Sequence, residues 1–353
     1  MKILHISNFV QKHNGRLYWN HAFKINNGLI RNGHSVYLFS DRDISRSNIL
    51  NKFTSNHYTQ INLLETFKNY DPDLIIIGHA DRIKNSTLKR MKEIKRSLKI
   101  IEWSVDNYFL DNTEVKLKKR SEVVDGIFIT NADENIANCI NPKKNFIAFF
   151  PNIFDESIEN LRIFEKSKFE YDLFFALSHG VGSGKIKNNI SKESNSASKY
   201  REEFLQQIQN SIPELKTNFY GFKDKQPIWG SEFEKQLKLS PMSLNLSRKP
   251  HIKYYSSDRI AQYLGNGSAV FIDRASRLED LFYNNEAFYY DDLDHLINLI
   301  KQLIKDPNLV RTTAYNGWKR GHKCYNDKIV TKFMIDATFD KSSVETSWPN
   351  IIY

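Results

Sequence analysis

Short apolar runs alternate with longer mixed stretches from the first residues onward. Ile3–Ile6, Val36–Phe39, Leu74–Ile77, Ile100–Trp103, Gly126–Ile129 and Phe146–Phe150 are each four or five residues long and almost wholly apolar. Such runs predict strands buried on both faces of a parallel sheet. Between them, residues 20–32 carry a helical pattern that stops at Asn32-Gly33, and residues 85–97 form a basic helix. An Asp71-Pro72-Asp73 turn leads into the third run. Strand–helix alternation predicts a doubly wound α/β domain, in which ligands bind beyond the carboxyl ends of the strands.

Pro151-Asn152 closes this series, and the charged segment 155–170 reads as a connection. A second series then opens, with strands expected at Leu173–Leu177, Thr217–Tyr220, Ser243–Leu246, Ala269–Ile272 and Ala287–Tyr290. Helices fit 200–210, 257–264, 291–305 and 307–320. Residues 185–199 are rich in Ser, Asn and Lys, and their composition predicts a mobile loop. The expected domains are therefore 1–160 and 170–327, with 328–353 as a terminal helix and tail.

Composition narrows the class. At 353 residues the chain holds two ordinary domains. No apolar run approaches the length of about 18 residues that a membrane span needs. The start, MKILHISNF, reads as a first strand and not as a signal peptide. Cys139 and Cys324 are the two cysteines, without metal-ligand spacing, and fit a reducing cytoplasm. The net charge of +10 is concentrated in part between residues 82 and 99. There Arg82, Lys84, Lys89, Arg90, Lys92, Lys95, Arg96 and Lys99 face Glu93 alone, and Lys116, Lys118, Lys119 and Arg120 follow. This density suits an anionic membrane surface, an anionic glycan or simply water. No established nucleic-acid motif accompanies it.

The richest stretch for chemistry is Lys253–Asp273. Tyr254 and Tyr255 precede a helix opened by Ser256, Ser257 and Asp258. A helix start offers unpaired N–H groups and a partial positive charge, which suit a phosphate. Arg259 adds a full charge one turn in, and Gln262 lies on the face of Asp258. An ordinary capped helix is the plain alternative. Gly180 and Gly182 stand in a glycine-rich loop, Ser178–Lys185, that matches neither a P-loop nor the dinucleotide fingerprint yet allows close approach of a phosphate. In the first half, Asn14 and Gly15 form a turn after the first strand, on the acceptor side. His79 and Asp106 each follow a strand end, where imidazole could relay a proton and carboxylate act as a base. Arg248 follows Ser243–Leu246, placed to offset charge on a leaving phosphate. No motif for a metal site, a serine hydrolase or a kinase is present.

The same stretch runs on into LEDLF and DPNLV, and these segments carry a resemblance. Arg259, Ile260, Gln262, Leu264, Gly267, Leu278, Glu279, Leu281, Phe282, Asp306, Pro307, Leu309 and Gly317 resemble the C-terminal domain of GT-B glycosyltransferases, especially the CgeB-like group. KILHISN, NGLIRNGHSVYLFSDRD and DPDLIIIGHA are similar to the acceptor domain of that fold. The resemblance implies two Rossmann-like domains facing across a cleft, with a nucleotide sugar on the second, an acceptor on the first and a terminal helix that returns to the first. It also implies that Glu279 contacts the nucleotide or caps its helix. Related retaining enzymes carry two glutamates eight positions apart. Here those positions are Tyr254 and Gln262, which leaves donor and stereochemistry open.

The resulting expectation is a cytoplasmic, metal-independent glycosyltransferase without a cofactor, using a nucleotide sugar and a polysaccharide or lipid-linked glycan acceptor. It would sit on the inner membrane face through segment 82–99. A nucleotide-sugar epimerase or hydrolase, a non-catalytic glycan- or nucleotide-binding module, and a nucleic-acid binder suggested by charge alone are the competing readings.

Overall fold

The computed structural model describes residues 1–47, 55–110, 112–177, 192–223, 225–247, 252–339 and 345–353. In chain order the strands are β1 Lys2–Ser7, β2 Ser35–Ser40, β3 Leu74–Gly78, β4 Lys99–Ser104, β5 Gly126–Ile129, β6 Phe146–Phe149, β7 Leu173–Ala176, β8 Thr217–Tyr220, β9 Met242–Asn245, β10 Ala269–Asp273 and β11 Phe288–Tyr290. The helices are α1 His21–Arg31, α2 Asp41–Ser47, α3 Ser55–Tyr70, α4 Asn85–Ile94, α5 Thr113–Ser121, α6 Lys192–Ser211, α7 Ser231–Leu237, α8 Arg259–Gly265, α9 Leu293–Leu303, α10 Pro307–Cys324 and α11 Asp327–Phe339. The chain forms two compact units. Unit 1 comprises residues 1–153 and 325–353, and unit 2 comprises residues 154–324.

Unit 1 is built on a six-stranded parallel sheet, ordered β2-β1-β3-β4-β5-β6. Every residue of β3, β5 and β6 is buried, as the continuous apolar runs require. The chain reverses direction across the sheet between β1 and β3. At that point Ser7 Oγ donates to the Gly78 carbonyl at 2.6 Å. The last residues close the free edge of β6, where Ile147 and Tyr353 exchange backbone hydrogen bonds at 3.1 and 2.9 Å. An edge so covered offers no template for another strand. Helix α11 packs on α1 through a contact that only glycine permits, since a Cβ on Gly28 would lie 2.2 Å from the Asp327 carbonyl oxygen.

Unit 2 holds a five-stranded parallel sheet, ordered β11-β10-β9-β7-β8. One face is covered by apolar side chains of α6, α9 and α10, among them Leu205, Ile208, Leu296, Ile300 and Val310. On α8, Tyr263 stacks on Phe233 and accepts a hydrogen bond from Ala176 N at 3.3 Å. Reversal of direction falls here between β7 and β9.

Several expectations needed adjustment. Of the mobile loop predicted at 185–199, residues 185–191 lie outside the described residues and the remainder is helical from Lys192, the start of α6. Residues 192–211 contain neither Gly nor Pro, and Leu205 and Ile208 anchor the helix on the core, so a polar first half is carried along. Helix α4 stops three residues before the expected 97, because Lys95 turns away to bind Asp71 Oδ1 and the Pro72 carbonyl, both at 2.9 Å. Helices α2, α3, α5 and α7 were not anticipated. No helix among the described residues is long and apolar enough to cross a membrane.

Candidate functional site

In unit 2 the strand order reverses between β7 and β9, and parallel sheets generally bind ligands beyond the carboxyl ends of the strands at such a point. Arg259 occupies this position. Its Nη2 donates to the Leu246 carbonyl at 2.9 Å and its Nη1 to the Ala176 carbonyl at 3.4 Å. The guanidinium also lies 5.3 Å from the Phe175 ring centroid. The residue is the first of α8 and not one turn in, and its first turn closes through Ile260 N to the Ser257 carbonyl at 3.2 Å. A cation is thereby fixed on two strand ends by backbone groups, with no carboxylate paired to it among the described residues.

The other candidates of this stretch divide by their partners. Ser256 is fully buried, with its Oγ 3.0 Å from Asn245 Nδ2, so it ties the loop to the end of β9. Tyr254, in left-handed conformation at φ 64°, donates its phenol to Asp280 at 2.8 Å. Burial, followed by Asp280, pushes that phenol up to about 12. Tyr255 is buried and closes a turn onto the Ile252 carbonyl. Asp258 takes the N-cap position with a helical backbone and makes no side-chain cap bond. Ser257 Oγ, Arg259 Nε, both amide atoms of Gln262 and Glu279 Oε2 are buried without a hydrogen-bond partner among the described residues. Gln262 is only 3% exposed. Buried polar atoms left in this state are costly, and Ser257, Arg259, Gln262 and Glu279 each carry at least one. Gly180, Gly182 and Arg248 lie outside the described residues.

In unit 1, β3 and β4 end beside a cavity of about 770 Å³. His79, in left-handed conformation at φ 51°, and Asp106 both line it. Their Nδ1 and Oδ2 atoms are 3.8 Å apart. In the sequence α4 and β4 lie between these residues, and the pairing of β3 with β4 brings them together. The His79 ring stands edge-on to Trp103 at 5.2 Å. Trp103 fills the space over Gly78, where a Cβ would meet its ring at 2.0 Å, and donates Nε1 to His5 Nε2 at 3.3 Å. Burial lowers the His5 imidazole to about 3, which leaves its Nε2 an acceptor. Asn14 and Gly15 form a left-handed turn that does not line this cavity, and a Cβ on Gly15 would meet open space.

Glu102 and Asn85, not singled out from the sequence, and cations of the basic run complete the lining. Glu102 and Arg120 approach to 3.4 Å, and burial, opposed by Arg120, pushes the Glu102 carboxyl up to about 7. Lys84, Asn85, Lys116 and Lys119 also line the cavity. A signal existed for Glu102, the one charge inside the apolar run Ile100–Trp103.

Residues 200–333 match the family described as glycosyl transferase-like. A search of curated proteins gives no match. Among solved structures the chain is similar to Anabaena HepE in complex with UDP and glucose, at 13% identity, over 96% of this chain and 99% of that one, with a TM-score of 0.54. It is similar to sucrose-phosphate synthase from Thermosynechococcus elongatus at 11% identity, over 95% and 98% of the two chains, with a TM-score of 0.56. It also resembles the T4 phage BGT in complex with its UDP-glucose substrate, at 15% identity, over 96% and 100%, with a TM-score of 0.52. The two Rossmann-like units are those of the GT-B fold. The glycosyl transferase-like match spans residues 200–333, and the structural similarity shows the fold. The match carries that broader description and no CgeB-like label.

Proposed function

We propose that the protein moves a glycosyl group from a nucleotide-sugar donor on unit 2 to a hydroxyl of a polysaccharide or lipid-linked glycan on unit 1. The observation that carries this reading is Arg259, fixed on the ends of β7 and β9 inside the glycosyl transferase-like region. Its free charge would meet the donor phosphates, with Arg248 taking a share as the leaving group departs. The orphaned amide of Gln262 has a donor and an acceptor to offer ribose hydroxyls, and Glu279 Oε2 a further acceptor. On unit 1, Asp106 would orient His79, whose other ring nitrogen takes the proton from the acceptor hydroxyl. The acceptor oxygen then bonds to the anomeric carbon as the sugar–phosphate bond breaks, and the nucleotide leaves with the electron pair. Charge on the departing phosphate is met by arginines in this scheme, which needs no metal.

Thermal stabilisation by a panel of uridine, guanosine, adenosine and cytidine diphosphate sugars, with release of free nucleotide, tests the proposal. One donor should stabilise the protein, and Arg259→Ala should weaken it on the order of tenfold or more. Gln262→Leu should also weaken the donor while leaving the free protein as stable or more so, because it removes two unpaired buried atoms. Absence of any stabilising donor would sink the transferase reading. Tyr254 and Gln262, standing where related retaining enzymes carry acids, favour a non-catalytic module as the second reading, which predicts donor binding with no turnover on any acceptor.

A further inference from the structure

The unit 1 cavity carries a charge pattern that the transfer reaction alone does not require. Its lining includes six cations, Arg42, Arg82, Lys84, Lys116, Lys119 and Arg120, against the carboxylates Asp81, Glu102 and Asp106. Two of the cations are spoken for: Arg42 pairs with Asp81 at 2.8 Å and Arg120 with Glu102 at 3.4 Å. Asp106 faces His79. Arg82, Lys84, Lys116 and Lys119 have no carboxylate partner among the described residues, and all four are exposed. Three lysines of the same basic run, away from the cavity, are paired. Lys92 and Lys99 are held by Asp125 at 2.8 and 3.6 Å, and Lys95 by Asp71 and Asp73 at 2.9 and 3.6 Å. Uncompensated charge thus rings the cavity that holds the His79–Asp106 pair.

We propose that this cavity receives an acceptor bearing a phosphate group close to the hydroxyl that is glycosylated. The proposal rests on the transferase reading for the word acceptor, while the recognition of phosphate stands on the lining alone. Four cations from two sides, the loop before α4 and the helix α5, suit a compact tetrahedral anion with several acceptor oxygens better than a neutral sugar. The volume of about 770 Å³ admits a sugar unit together with its phosphate. A flat basic face for lipid headgroups would need no such concavity.

Direct binding in the absence of any donor decides the matter. Soluble poly(glycerol phosphate), alginate, dextran and phosphatidylglycerol vesicles serve as probes at fixed ionic strength. Poly(glycerol phosphate) should bind well above alginate and dextran, with an affinity that falls as salt rises. Lys84→Ala with Lys119→Ala should weaken it on the order of tenfold. The charge-matched pair Lys301→Ala with Lys305→Ala, on unit 2, should leave it unchanged. Equal binding of alginate or dextran, an unaltered affinity in the Lys84/Lys119 variant, or retention on vesicles alone would overturn the proposal. Circular dichroism and melting of each variant confirm that it is folded. Failure of every nucleotide sugar to bind would remove the transferase reading and leave this phosphate site standing.

Discussion

Glu102 shows most plainly how one residue departs from its ordinary chemistry. Its carboxyl is raised from 4.5 to about 7 by burial. Between those values the folded protein keeps the proton and the unfolded chain has released it, so rising pH favours unfolding across that window. The stability of wild type relative to Glu102→Gln should therefore decline from pH 4.5 to 7 and level off above it. Chemical denaturation of both proteins across this range measures the difference. His5 and His21, both lowered by burial, act with the opposite sign by losing stability as pH falls below 6.5, and the subtraction cancels them. A flat difference would mean that Glu102 titrates normally. At this scale the sequence was partly legible. Arg259 was visible as a charge at a helix start, yet the carbonyls of Ala176 and Leu246 that hold it lie 83 and 13 residues away and could not be read. His79 and Asp106 were each placed at a strand end, but their approach depends on β3 and β4 being neighbours.

Among the elements, β3 and β4 matter most for the first site. Gly78 ends β3 against the Trp103 ring, and the two residues are paired across the strands. An added methyl would have to displace an indole that also touches His5 and His79. Gly78→Ala should cost about 1–3 kcal/mol, as overpacking of a filled core does. Denaturant unfolding should show this loss, and transfer activity should fall further than stability because His79 rests on the same ring. Unaltered stability would show that the indole moves freely. The strands were legible as elements because fully buried parallel strands are continuous apolar runs. The short helices α2, α5 and α7 were not, since seven to nine residues give too few turns for a period to emerge. Helix α6 reaches back into a polar stretch because its apolar second half supplies the packing.

For the whole chain, the decisive event is the return of residues 325–353 to unit 1. Helix α11 meets α1 at Gly28, Arg31 pairs with Asp327 at 2.5 Å, and the last residues close the edge of β6. Gly28→Ala would press a methyl into the Asp327 carbonyl and should loosen α11. Limited proteolysis should then release the C-terminal segment faster than in wild type, whereas unit 2 keeps its resistance. Equal cleavage rates would show that α11 is held without this contact.

The sequence by itself determined the two series of parallel strands, the basic character of residues 82–120 and the candidate stretch 253–279. These are local properties, written in apolar runs, charge and helix signals. Only tertiary structure decided which strand ends lie side by side, which lysines remain uncompensated and where Arg259 is anchored. The reason is that each of these depends on partners far apart in the chain, and strand order, not residue order, sets their distances.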